Sequence, residues 1–190
     1  MDQAELNKIR KLKPLDPEEV LRKLRQLELS NDWQNLKAPE VHLRGNALKG
    51  VRECRIAALF CCGMSQRTGF RIQLYQHEES EYDFIATWLM GDTRHIVPVQ
   101  IKELVPEHLN SEITLQKIID DLGKNYSSPD LHAVIFLNRN GKVDFSEINL
   151  SALNIAGLWL ISCTSHDQSD WRLDGNFIAA PETTHFKYPA

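Results

Sequence analysis

Apolar residues recur along this chain in two rhythms, every third or fourth position and every second position, and the changes of rhythm mark its elements. In LDPEEVLRKLRQLEL, Val20, Leu21, Leu24 and Leu27 fall at helical spacing. Asp16 is a natural N-cap there, Pro17 suits the first helical position and Glu19 completes a capping box. Residues 1–13 before it read as a short helix or a mobile arm, and NDWQNLKAPEVHLRGN after it reads as connecting structure around Pro39 and Gly45. In NALKGVRECRIAALFCCG, the residues Ala47, Val51, Cys54, Ala58 and Cys61 step by four and three along one helical face. Gly63 is the expected terminator of that helix, and Glu53 lies beside its apolar face.

The rhythm then shortens to two. FRIQLYQ alternates with Phe70, Ile72 and Leu74 on one side, and YDFIATWLM and HIVPVQIKEL follow as strands joined by a GDTR turn. NSEITLQKIIDDLG returns to helical spacing, capped by Asn110 or Ser111, striped by Ile113, Ile118, Ile119 and Leu122, and ended by Gly123. LHAVIFLNR is a continuous apolar run, as in a strand covered on both faces, with an Asn140-Gly141 turn behind it. SEINLSALN reads as a short helix, GLWLISC as another buried strand, and the tail from His166 as an irregular or edge segment. This order predicts an α/β fold, a mixed central sheet flanked by helices on both faces, with an N-terminal helical extension over residues 1–45 and the main domain over 46–190.

Composition narrows the setting. A chain of 190 residues with 42% hydrophobic and 25% charged content can bury the core of one ordinary domain. No run reaches the length of a membrane span, and MDQAELNKIRKLKP has no apolar signal-peptide core, so no membrane partner and a cytoplasmic location are expected. Cys54, Cys61, Cys62 and Cys163 have no CxxC spacing and read as reduced thiols in or near the core. The net charge of −4 is uneven: residues 1–75 carry 14 Lys+Arg against 9 Asp+Glu, a balance that suits a phosphate backbone.

The hairpin carries the candidate chemistry. Centring an even loop on Asp92-Thr93 places Met90 opposite His95, Asp83 opposite Lys102 and Ile85 opposite Gln100, so that 83, 85, 100 and 102 share a face. A carboxylate, an amide oxygen and a nearby peptide carbonyl are the hard oxygen donors that Mg²⁺ accepts. A neighbouring ammonium can orient an attacking water and offset charge developing on a phosphoryl group. Glu53 offers a further carboxylate from the preceding helix.

Other combinations carry less. Glu78, Glu79 and Glu81 read as an acidic loop in solvent, and Gln116 and Lys117 as the polar face of an amphipathic helix. Cys163, His166 and Asp167 lie too close in sequence to aim at one another as a triad. The histidines form no HxH or HxxxH pair, so zinc has no support from spacing.

The arrangement of Glu53, Asp83 and Gln100-Ile101-Lys102 resembles the PD-(D/E)xK nuclease superfamily, the restriction-endonuclease-like fold. That pattern is an acid on a leading helix, an Asp starting the second strand and a (D/E)xK on the third, followed by a helix and further strands, and the resemblance covers roughly residues 46–163. Gln100 stands where the family has Asp or Glu, Tyr82 where it has Pro, and Pro98 lies inside the third strand. The resemblance implies a metal-dependent nuclease that hydrolyses phosphodiester bonds, on DNA in preference to RNA, with Mg²⁺ or alternatively Mn²⁺. Asp83, Gln100, the Ile101 carbonyl and Glu53 would hold the metal and Lys102 would handle the water. Cutting both strands of a duplex would call for a homodimer. The neutral Gln100 keeps open a second class, a catalytically inactive module of the same fold that binds nucleic acid or a protein partner.

Overall fold

A computed structural model of the chain describes residues 3–30, 48–77, 79, 81–139 and 148–190. Its first helix, α1 (Gln3–Ile9), ends on the fully buried Ile9. The next, α2 (Pro17–Leu29), starts as its sequence directs: the Asp16 carboxylate accepts hydrogen bonds from the N–H groups of Glu18 and Glu19. Glu19 pairs forward with Lys23 at 2.7 Å. Helix α3 (Lys49–Thr68) does not stop at Gly63 but runs five residues further, to Thr68, and Gly69, with φ of +74°, closes it in the left-handed conformation. Gly63 has a packing role instead. A Cβ there would lie 3.0 Å from Phe186 and 3.1 Å from Leu173, so the missing side chain lets the helix settle onto the sheet.

Seven strands form one sheet in sequential order, β1 (Gln73–Tyr75), β2 (Phe84–Met90), β3 (Thr93–Leu104), β4 (Ser127–Leu137), β5 (Asn154–Cys163), β6 (Asp170–Gly175) and β7 (Glu182–Lys187). The first three form an antiparallel meander. Helix α4 (Leu115–Asn125) then crosses over to β4, which runs parallel to β3, and β5 runs parallel to β4. Strands β6 and β7 return antiparallel. The tail from His166, expected as an irregular or edge segment, forms two ordered strands, of which β7 is the sheet edge. Its inward positions are Trp171, Leu173 and Phe186, and the intervening Arg172 and Asp174 pair with each other at 2.8 Å.

The crossover helix is capped by Thr114, not by Asn110 or Ser111, and continues two residues beyond Gly123. Asn110 instead closes a turn onto the N–H groups of Glu112 and Ile113. Of the expected SEINLSALN helix, the described residues 148–153 form an irregular turn, in which Asn149 accepts from the N–H of Ser151. The connecting stretch 31–46 and the Asn140-Gly141 turn lie outside the described residues.

The sheet is covered on both faces, giving three layers, as the alternation of helical and strand rhythms implies. One core packs α2 and α3 against Phe84, Val99, Ile101, Val134, Trp159 and Leu173. The other packs α1 and α4 against Tyr75, Tyr82, Ile85, Ala133, Ile135 and Leu160. The expected N-terminal extension thus contributes to both cores, through Ile9 on one face and Leu21 on the other. Among the described residues no helix is long and apolar enough to cross a membrane.

Candidate functional site

The β2–β3 turn is two residues long, Gly91-Asp92, with Gly91 at φ +59° in the position where such hairpin loops favour glycine. Met90 therefore faces Thr93, not His95, and Ile85 faces Pro98, not Gln100. This moves the register by two residues from the expected one. The face on which each side chain lies is unchanged, because side chains alternate with period two. The new register carries Asp83 to Gln100 instead of Lys102. Pro98 sits one residue before β4 pairing begins at Val99, where β3 has β2 as its only ladder neighbour.

Asp83 and Gln100 are in direct contact. Asp83 Oδ2 accepts a hydrogen bond from Gln100 Nε2 at 2.5 Å and another from the Ile101 N–H at 2.6 Å. Gln100 is 6% exposed, one of few buried polar side chains, and its Nε2 also donates to the Ile101 carbonyl at 3.2 Å. The amide nitrogen thus occupies a point on which a carboxylate oxygen and a peptide oxygen converge. Turning the amide over would set Oε1 beside the same two oxygens, so that three hard oxygen donors would surround a cation once the side chain drew back to admit it.

Lys102 lies two residues on, on the same sheet face, half-buried against the end of α4. Its Nζ donates to Tyr126 Oη at 3.3 Å and stands 5.0 Å from the centre of that ring. Tyr126 was not legible as a site residue. It is the C-cap of α4, 24 positions away, and the crossover alone brings it to Lys102.

Glu53 is placed elsewhere. Helix α3 covers the face to which Ile101 points, whereas Gln100 and Lys102 point to the α4 face. The Glu53 carboxylate pairs with Lys49 at 3.4 Å. On that same layer Arg52 reaches Glu103 at 3.6 Å, and Glu103 accepts from Asn138. Among the described residues no three His, Cys, Asp or Glu side chains gather in a metal-binding group.

Immediately before Asp83, Tyr82 donates its hydroxyl to Glu5 of α1. Burial, reinforced by the Glu5 carboxylate, pushes the Tyr82 phenol well above its usual range and keeps it a donor. Gln116 is occupied away from the site, bonding Asp120 and both backbone groups of Asn149. Cys163, Asp167 and Ser169 build the β5–β6 turn; hydrogen bonds from Ser165 and Ser169 hold the Asp167 carboxyl at about 2. All four cysteines are free, and burial pushes Cys62 up to about 12 and Cys61 higher than its ordinary value. A groove of about 940 Å³ lies on the α2–α3 side, but its Asp16 and Arg71 neutralise each other at 2.5 Å.

No family model, no curated protein and no solved structure matches this chain. The class that the structure establishes is a mixed α/β protein with a seven-stranded mixed sheet.

Proposed function

We propose that the protein is a metal-dependent nuclease of the restriction-endonuclease-like kind, acting on DNA in preference to RNA. The observation that carries this reading is the convergence of Asp83 Oδ2 and the Ile101 carbonyl on the Gln100 amide, with Lys102 beside it on the same face. The order of elements supports it: a leading helix, a three-strand meander, a crossover helix and a parallel strand.

The donor set fits a hard cation such as Mg²⁺ or Mn²⁺ in type, with one carboxylate, one amide and one carbonyl. A cation held there would supply Lewis-acid polarisation of a scissile phosphate. Asp83 provides the charge that binds, and Gln100 exchanges its donated hydrogen bond for a donated lone pair. Lys102, held by Tyr126, orients the attacking water and offsets negative charge growing on the phosphoryl oxygens. Glu53 is left out of the donor set because it lies on the opposite layer.

A second reading, a nuclease-shaped binding module, rests on the same residues. With Gln100 neutral and its Nε2 already satisfied by Asp83, the site is stable without a cation. Cleavage of a panel of DNA and RNA in Mg²⁺ and in Mn²⁺ separates the two, with wild type run beside Asp83→Ala and Lys102→Ala. Metal-dependent cutting abolished by both substitutions is the expected result. An intact panel, with no Mn²⁺ bound by calorimetry, would overturn the nuclease and leave the module.

A further inference from the structure

Residues 8–13, KIRKLK, place four basic side chains within six positions. The segment is neither a tail nor a free arm. Ile9 is fully buried beside Tyr82 and Ile85, and Leu15 exchanges two backbone hydrogen bonds with Leu74 of β1, at 2.7 and 3.1 Å. Between these anchors the backbone continues in helical turns, with Arg10, Lys11 and Leu12 bonding back to Leu6, Lys8 and Ile9. Chain tied at both ends in this way holds Lys8, Arg10, Lys11 and Lys13 outward, and all four are exposed.

Elsewhere on the N-terminal helices, basic side chains are neutralised locally: Arg22 by Glu18, Lys23 by Glu19 and Arg25 by Glu28. The strap is different. Lys8 reaches Glu79 only at 3.8 Å, and neither Arg10 nor Lys11 has an ion-pair partner among the described residues. Concentrating like charge on an ordered segment is unfavourable unless a polyanion relieves it.

The position of the strap matters as much as its charge. It leaves the sheet face that carries Asp83 and Gln100 and passes round the β1 edge. Tyr82, the residue before Asp83, is bonded to Glu5 of α1, and Lys8 touches the Glu79–Tyr82 bridge that leads into Asp83.

We propose that the strap formed by Lys8, Arg10, Lys11 and Lys13 is the phosphate-contacting surface that seats duplex DNA against the Asp83–Gln100–Lys102 site. This rests on the nucleic-acid part of the function proposed above, not on its catalytic part. Each phosphate neutralised releases condensed counterions, so the affinity falls with salt in proportion to the number of contacts.

The test is titration of a fluorescent DNA duplex over a salt series with the full chain in EDTA, which prevents cutting. Arg10→Ala/Lys11→Ala/Lys13→Ala is compared with the charge-matched Arg22→Ala/Lys23→Ala/Lys187→Ala, whose three cations are paired in the fold. The strap variant is expected to bind at least roughly tenfold more weakly and to lose about 3 from the slope of log K against log salt, the control changing little. Equal losses in both variants, no loss in either, or no binding by wild type overturns the strap. Strap-dependent binding without cleavage in Mg²⁺ keeps it and removes the nuclease. Cleavage that the strap substitutions leave unchanged removes the strap alone.

Discussion

Replacing Gln100 with glutamate tests the centre of the site from both sides. In the wild type the buried Gln100 amide donates to Asp83 and to the Ile101 carbonyl. Gln100→Glu removes both hydrogen bonds and sets a second carboxylate beside the first. Loss of one hydrogen bond to a charged group amounts to about 1.5–3 kcal/mol. Repulsion between two carboxylates adds to this, but uptake of a proton by the pair limits it, so the net destabilisation is about 2–4 kcal/mol. For a chain of this size, that lowers Tm by roughly 5–15 °C in EDTA at neutral pH. The deficit shrinks on acidification, because a shared proton replaces the amide N–H between the two oxygens. In the proposed cation site, a divalent ion would reverse the order of preference. The variant now offers two carboxylates, and a metal at one hundred times its Kd restores about 2.7 kcal/mol. Thermal melts of both proteins, with EDTA and across a Mg²⁺ and Mn²⁺ series, read all of this. The expected pattern is a lower Tm for Gln100→Glu without metal and a larger metal-induced rise than in wild type. Equal melting in EDTA would refute the Asp83–Gln100 contact, and a metal-independent Tm in both proteins would refute the cation site.

Tyr126→Phe keeps the ring beside Lys102 but removes the oxygen that accepts from Nζ. In the proposed nuclease, at about 0.5–1.5 kcal/mol for that bond, single-turnover cleavage should slow by roughly two- to tenfold with an unchanged circular dichroism spectrum. A rate equal to wild type would show that Tyr126 does not position the lysine. His132 is packed among Trp159, Gly157 and the β4–β5 ladder, its Nδ1 accepting from Trp159 Nε1 at 2.9 Å, and burial lowers its pKa from 6.5 to about 4. The neutral ring is the folded form, so the unfolded chain binds the extra proton. Its stability contribution is complete above about 6.5, is lost as pH falls from there towards 4, and amounts to about 3 kcal/mol. His132→Gln retains an acceptor for Trp159 and should flatten that part of the pH profile in urea titrations; an unaltered slope would show that His132 is not its source.

How much of this was legible in the sequence depended on whether the deciding interaction was local. The Asp16 cap, the meander and the crossover were readable because each is set by neighbours within a few residues or by simple periodicity. Gly63 was misread as a helix stop because its meaning is tertiary: it admits Phe186 and Leu173, more than 100 positions away. The last two strands were hard to read because their apolar alternation is short: Trp171 and Leu173 are the only large apolar positions of β6, and Phe186 is the only one of β7.

The hairpin shows the same division within a single motif. Its register turned on the turn type, and a glycine at the first of two loop residues was the available local signal. The error was two residues, so the parity of Asp83, Gln100 and Lys102 survived while their partners changed. Parity then decides what the site can contain. Odd positions of β3 face α3 and even ones face α4, so Gln100 and Lys102 share their layer with Tyr126 and the α1 strap, and Glu53 does not. No periodicity in the helix of Glu53 specifies which face of a sheet that helix will cover, because an amphipathic stripe is satisfied equally by either. The strand residues were therefore readable as sharing one face, whereas the face that the helix of Glu53 covers is set by tertiary packing that no local pattern specifies.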